Sequence, residues 1–160
     1  MGNIGHNNPP PNTKETIKKN IERKKPILDR DPQFYKGVPL PSYIELSIID
    51  VCNRDCSFCP KSDHSLAPNT YNKMEKPLIE KLINDLKKIN FSGYITMCGY
   101  GEPLLHPEVI QISNEIGKVW GIEVVTNGDV LSKEKLKELN ESRITTMVVS
   151  MYDGPEQVEK

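Results

Sequence analysis

At 160 residues, with 36% hydrophobic side chains, the chain is long enough for one domain with a real core. Its formal charge of −1 gives no global argument for a nucleic-acid partner, and no run approaches the roughly eighteen apolar residues of a membrane helix. The opening "MGNIGHNNPPPN" lacks the apolar core of a signal peptide, and His6 stands where a myristoylation pattern needs Ser or Thr. We therefore expect a cytoplasmic protein with reduced thiols, in which clustered cysteines indicate metal binding or catalysis rather than disulfides.

In chain order, residues 1–38 read as a polar, basic leader, largely disordered. "GHNNPPPNTK" is polar and proline-rich. "TKETIKKNIERKKPILDR" is basic, with Ile17 and Ile21 suited to one helical stripe, and its lack of aromatics favours a solvated or docking face over a nucleic-acid arm.

The second region, residues 39–160, alternates. "SYIELSII" reads as a strand that runs into a cysteine-bearing loop. "EKPLIEKLINDLKKI" places Leu78, Leu82, Ile83, Leu86 and Ile89 on one face of a helix. "GYITMC" is a strand, and "PEVIQISNEIGKVW" a helix with Pro107 in its first turn. "IEVVT" is a strand, "SKEKLKELNE" a helix capped by Ser132, and "ITTMVVSM" a strand. This β-α-β-α-β-α-β order with near-continuous apolar strands predicts an α/β fold with a parallel sheet, open or barrel-like. The sequence stops at "YDGPEQVEK", where a fourth helix would begin. Four strands cannot close a barrel, which needs about eight when complete, so we expect part of a larger protein.

Ligands of parallel βα folds gather at the carboxyl ends of the strands. The four strands deliver "CNRDCSFC", "GYGEP", "TNGD" and "SMYDG" to that rim. Thiolates are soft ligands that select iron–sulfur clusters, zinc or copper(I). Cys52, Cys56 and Cys59 would ligate three irons of a cubane and leave the fourth open, an incomplete set that suggests chemistry rather than structure. The competing readings are a zinc-binding interaction module in which His64 completes the three cysteines, and buried uncoordinated thiols.

C-x3-C-x2-C with an aromatic, Phe58, before the last cysteine resembles the radical S-adenosylmethionine (SAM) superfamily. "GYGEP" resembles that family's G-G-E-P, and "SMYD" its ribose-contacting element. The resemblance covers residues 42 to about 155 and extends to the branch with C-terminal auxiliary-cluster extensions. It implies a partial TIM-like (βα)6 barrel of which about the first four βα units are present. It also implies a [4Fe-4S] cluster on Cys52, Cys56 and Cys59, with SAM chelating the fourth iron. Reductive cleavage of SAM would then give a 5′-deoxyadenosyl radical that abstracts hydrogen from a substrate, a peptide being one candidate. An electron donor such as a flavodoxin or ferredoxin is implied as partner.

On this reading Phe58 lies near adenine, while Gly99, Gly101 and Glu102 hold the methionine amino group, chiefly through backbone. Ser150 reaches the ribose or carboxylate, with Thr126 and Asn127 beside the same ligand. No catalytic side chain is assigned. Plainer roles stay open: Phe58 as a plug of the rim, Asn127-Gly128 as a turn, Cys98 as a small buried hydrophobe. A non-catalytic, truncated homologue is the remaining alternative.

Overall fold

The structure, a computed structural model, describes residues 13–152. The chain divides into two compact units, Met1–Asp31 and Pro32–Lys160. In the first, residues Thr13–Leu28 form helix α1, with Lys19–Glu15 and Lys18–Glu22 ion pairs one turn apart. Ile17 and Ile21 are both exposed on it. The proline-rich stretch before it lies outside the described residues.

The second unit opens with a hairpin of β1 (Gln33–Tyr35) and β2 (Val38–Leu40). Its two turn residues, Lys36 and Gly37, both have positive φ, 51° and 81°, the turn whose twist matches a hairpin. A helix and a hairpin thus occupy much of the leader that we expected to be largely disordered. Neither element was legible because neither carries a buried apolar repeat.

Four parallel strands follow in sequential order, β3 (Tyr43–Leu46), β4 (Tyr94–Met97), β5 (Gly121–Thr126) and β6 (Thr146–Val149). Helices α2 (Lys76–Lys88), α3 (Val109–Ile116) and α4 (Lys133–Asn140) connect them. The order β-α-β-α-β-α-β is as expected. Ile95, Met97, Ile122 and Val124 at the sheet centre have no solvent exposure. They pack with Ile83 and Leu86 of α2, Ile112 and Ile116 of α3, and Leu139 of α4.

Three details depart from expectation. On α2 the buried set is Ile79, Ile83 and Leu86, while Leu78 is half-exposed, so the stripe is rotated by one residue. Helix α3 begins at Val109 with Glu108 as N-cap, leaving Pro107 outside the helix; the His106 ring positions the cap instead, its Nδ1 accepting the Glu108 N–H at 3.0 Å. The strands are also less apolar than expected. Thr96 and Glu123 are buried on paired positions of β4 and β5, in register with Glu45 and Thr146. Ser132 caps α4 as expected, accepting the Lys135 N–H at 3.1 Å.

Candidate functional site

An open cleft lies at the carboxyl ends of the strands. All ten residues singled out from the sequence line it: Cys52, Cys56, Phe58, Cys59, Gly99, Gly101, Glu102, Thr126, Asn127 and Ser150. They arrive from four strand tips separated by up to about a hundred residues of sequence. Asp153 and Gly154, at the end of the fourth motif, lie outside the described residues.

Its wall is built around a buried carboxylate. Glu102 is only 3% exposed. Its Oε1 accepts the Leu104 N–H at 3.0 Å and the Thr126 hydroxyl at 2.7 Å, and its Oε2 accepts the Asn127 N–H at 2.8 Å. Its own N–H donates to Val51 O at 2.7 Å. Glu102 therefore welds the tips of β4 and β5 to the chain leaving β3. The carboxylate is thus engaged within the wall, whereas the contact expected of Glu102 with a ligand amino group was chiefly through backbone. Thr126 is engaged likewise: its hydroxyl also accepts the Gly128 N–H at 3.1 Å.

The two glycines before Glu102 have internal reasons. Gly99 has φ +137°, and a Cβ there would lie 2.6 Å from Ser47 Oγ. At Gly101 a Cβ would come within 1.9 Å of the Ile49 carbonyl oxygen, so only glycine lets the β4 loop pass that backbone. At Gly101 the chain itself fills the space that a side chain would need.

The cysteine loop is tied to this wall at one corner. The Arg54 guanidinium makes a bidentate pair with the Asp129 carboxylate, and Asn53 Nδ2 donates to the same group at 3.1 Å. Asn127 Nδ2 donates to Asn53 Oδ1 at 2.9 Å and stands 3.9 Å from Cys52 Sγ. Burial pushes the Cys52 thiol above its usual 9.0, and Glu102 and Cys56 add to the rise; the Arg54 backbone N–H and Asn127 act against it.

All four cysteines are of intermediate exposure, and Cys98 joins the other three in the cleft lining rather than in the core. Among the described residues no three His, Cys, Asp or Glu side chains converge on one point where a single metal ion could sit. His64 instead lies 3.3 Å from Asp55 and is exposed, so the tetrahedral zinc set is not assembled. At the mouth, the Phe58 and Tyr152 rings meet edge to face, centroids 4.8 Å apart.

Sequence reasoning missed Arg54, Tyr152 and the role of Asp129. Arg54 and Asp129 sit inside motifs that were read for cysteines and for a turn, and only the fold brings them together. Among the described residues no helix is long and apolar enough to cross a membrane.

Comparison with known proteins bears on the same residues. The model of the radical SAM superfamily matches residues 46–160. An S-adenosyl-L-methionine-dependent 2-deoxy-scyllo-inosamine dehydrogenase of Niallia circulans is 30% identical over 116 residues, 71% of this chain and 46% of that protein. A GTP 3′,8-cyclase of Aquifex aeolicus is 32% identical over 123 residues, 73% of this chain and 37% of that protein. The crystal structure of BtrN in complex with AdoMet and 2-DOIA superposes with a TM-score of 0.65 at 27% identity, over 78% of this chain and 48% of that one. The chain thus spans less than half the length of each of these three relatives. Those relatives are enzymes, and their family uses SAM and a [4Fe-4S] cluster. Together with the α/β architecture and its parallel sheet, this places the chain in the radical SAM superfamily.

Proposed function

We propose that residues 39–160 form the cluster- and SAM-binding portion of a radical SAM enzyme, with Cys52, Cys56 and Cys59 as the three thiolate ligands of a [4Fe-4S] cluster. The observation that carries this is the convergence of three thiols and the tips of four parallel strands on one cleft. When bound, the cluster and SAM supply reductive cleavage of the sulfonium C–S bond and a 5′-deoxyadenosyl radical for hydrogen abstraction.

The chain's own groups hold and orient. Asn127 directs an amide N–H toward the Cys52 sulfur, an interaction of the kind that tunes cluster potential. The backbone at Gly99 and Gly101 faces the cleft as the seat of SAM's methionine end, with Ser150 across from it at the tip of β6. Phe58, 66% exposed at the mouth, offers its ring to adenine. Glu102 and Thr126 serve as the brace beneath these contacts. A low-potential flavodoxin or ferredoxin is the expected electron donor.

The test is anaerobic incubation of the reconstituted chain with SAM and dithionite, followed by quantification of 5′-deoxyadenosine. Its formation in the wild type, and its loss in Cys56→Ala, is the expected result. An iron-loaded wild type that releases none would overturn the assignment.

A further inference from the structure

The loop after the cysteines, residues 62–74, returns alongside the chain that leaves β3. Met74 N–H donates to Ile48 O at 2.8 Å and Asp50 N–H to Asn72 O at 3.0 Å, with an antiparallel bridge between Ile49 and Lys73. Continued for two more residues, this ladder would pair with Cys52. It breaks at Tyr71, whose φ of 62° turns the backbone out of the strand direction, while Thr70 bonds to the Asp50 carboxylate. The Asn69 carboxamide stands in at the gap. Its Oδ1 accepts the Cys52 N–H at 3.1 Å and its Nδ2 donates to the Cys52 carbonyl at 3.1 Å, which reproduces with a side chain the two bonds of a strand neighbour.

The adjacent residue holds the other end of the cysteine loop. Lys61, two residues past Cys59, is 3% exposed and donates its ammonium to Pro68 O at 2.9 Å. A lysine is almost never buried to that extent without purpose. One dipeptide, Pro68-Asn69, therefore fastens the chain at both the first and the third cysteine.

The geometry points to Asn69 as a positioning residue that fixes the backbone from which the Cys52 thiolate is presented to the cluster. This rests on the cluster assignment proposed above. Side chains that orient metal ligands without touching the metal change affinity by about 10- to 100-fold when removed. The carboxamide is the right group because it donates and accepts at once. A carboxylate of the same size keeps the acceptor for the Cys52 N–H and sets an oxygen against the Cys52 carbonyl.

The experiment compares wild type, Asn69→Ala and Asn69→Asp as the full 160-residue chain, reconstituted anaerobically and then challenged with excess iron chelator. Asn69→Ala and Asn69→Asp should each lose iron on the order of 10- to 100-fold faster than wild type. The EPR spectrum of the reduced cluster should shift or broaden in both, because the Cys52 sulfur is no longer held in one orientation. Iron loss at the wild-type rate in both variants would overturn the inference. An altered melting point of the iron-free chain, with the wild-type spectrum and release rate retained, would overturn it as well, since that is the signature of a purely structural role. If Asn69→Ala does not fold, Asn69→Asp decides alone, because it preserves size and one of the two bonds. A wild type that takes up no iron sinks the cluster assignment itself; a wild type that does, with variants that match it, sinks only the role of Asn69.

Discussion

The two halves of the cleft are held by different means. The wall formed by the β4 and β5 tips is buried: Glu102, Thr126 and Asn127 are 3%, 1% and 7% exposed and share one hydrogen-bond system. Opposite it, the cysteine loop and the loop that follows expose Phe58, Leu66 and Tyr71, and they are secured by individual side-chain bonds from Arg54, Lys61 and Asn69. Buried, fully satisfied networks set stability, whereas loops with few buried contacts open locally at low cost. Damage to the wall should therefore be read in folding. Damage to the loop should be read in cofactor retention.

The largest effect expected on folding is Glu102→Ala. It leaves the Leu104 N–H, the Asn127 N–H and the Thr126 hydroxyl without their acceptor. At about 1–3 kcal/mol for each buried donor so orphaned, less what relaxation recovers, a loss of about 3–5 kcal/mol follows. Thermal unfolding of the iron-free chain should show it as a fall of roughly 10 °C. A change under about 3 °C would mean that the wall is not the rigid half.

Gly101→Ala tests the joint between the halves. The added Cβ would meet the Ile49 carbonyl at 1.9 Å, and that backbone leads within three residues to Cys52. Overpacking of this kind costs about 1–3 kcal/mol. Here both readouts should respond: a lower melting point and lower iron uptake. Normal iron content with a lowered melting point would separate the joint from the cysteine loop.

Arg54→Met acts on the loop side. The pair with Asp129 is partly buried, 14% and 32% exposed by side chain, so its loss should cost about 1 kcal/mol in folding, less than Glu102→Ala. Its effect on iron release should be the greater one, measured as chelator-driven bleaching of the reconstituted chain. A reversed order of the two variants in the melting experiment would mean that the loop, not the wall, is the half that sets stability.

The smallest effect concerns pH. His106 is 1% exposed, and burial lowers its affinity for a proton below the usual 6.5, aided by Lys73; the Met74 carbonyl and the carboxylates of Glu108 and Glu75 oppose this. With Nδ1 accepting from Glu108, the ring's proton sits on Nε2, which faces Met74 O at 3.2 Å. The unfolded chain binds a proton more readily than the folded one. The contribution of His106 is thus fully present above about pH 6.5 and is lost as pH falls below it toward the folded value. Melting points between pH 7.5 and 5 should fall more steeply for wild type than for His106→Gln. Parallel curves would assign the acid sensitivity elsewhere.

Much of this was legible in the sequence because the chemistry is carried by short motifs at strand ends. The β-α alternation located the four parallel strands, and C-x3-C-x2-C located the thiols. The rotation of the α2 stripe was not legible, since Leu78 and Ile79 are adjacent and equally apolar, and only packing selects between them. The place of Glu102 in "GYGEP" marked it, but its bracing of two strand tips was not legible, because Leu104, Thr126 and Asn127 meet its carboxylate only in the fold. Asn69 lay in a polar, proline-containing loop with nothing to set it apart. Its role depends on Tyr71 breaking a ladder that the sequence does not announce.

Whether Cys52, Cys56 and Cys59 hold a four-iron cluster with one iron left for SAM is decided by counting metal. The chain should be reconstituted anaerobically with iron and sulfide, its metals quantified, and the EPR spectrum of the reduced protein recorded before and after addition of SAM. About four irons per chain are expected, with brown absorption that Cys52→Ala, Cys56→Ala or Cys59→Ala abolishes and a spectrum that changes when SAM is added. One zinc per chain, with no visible absorption and no response to SAM, would contradict the four-iron assignment.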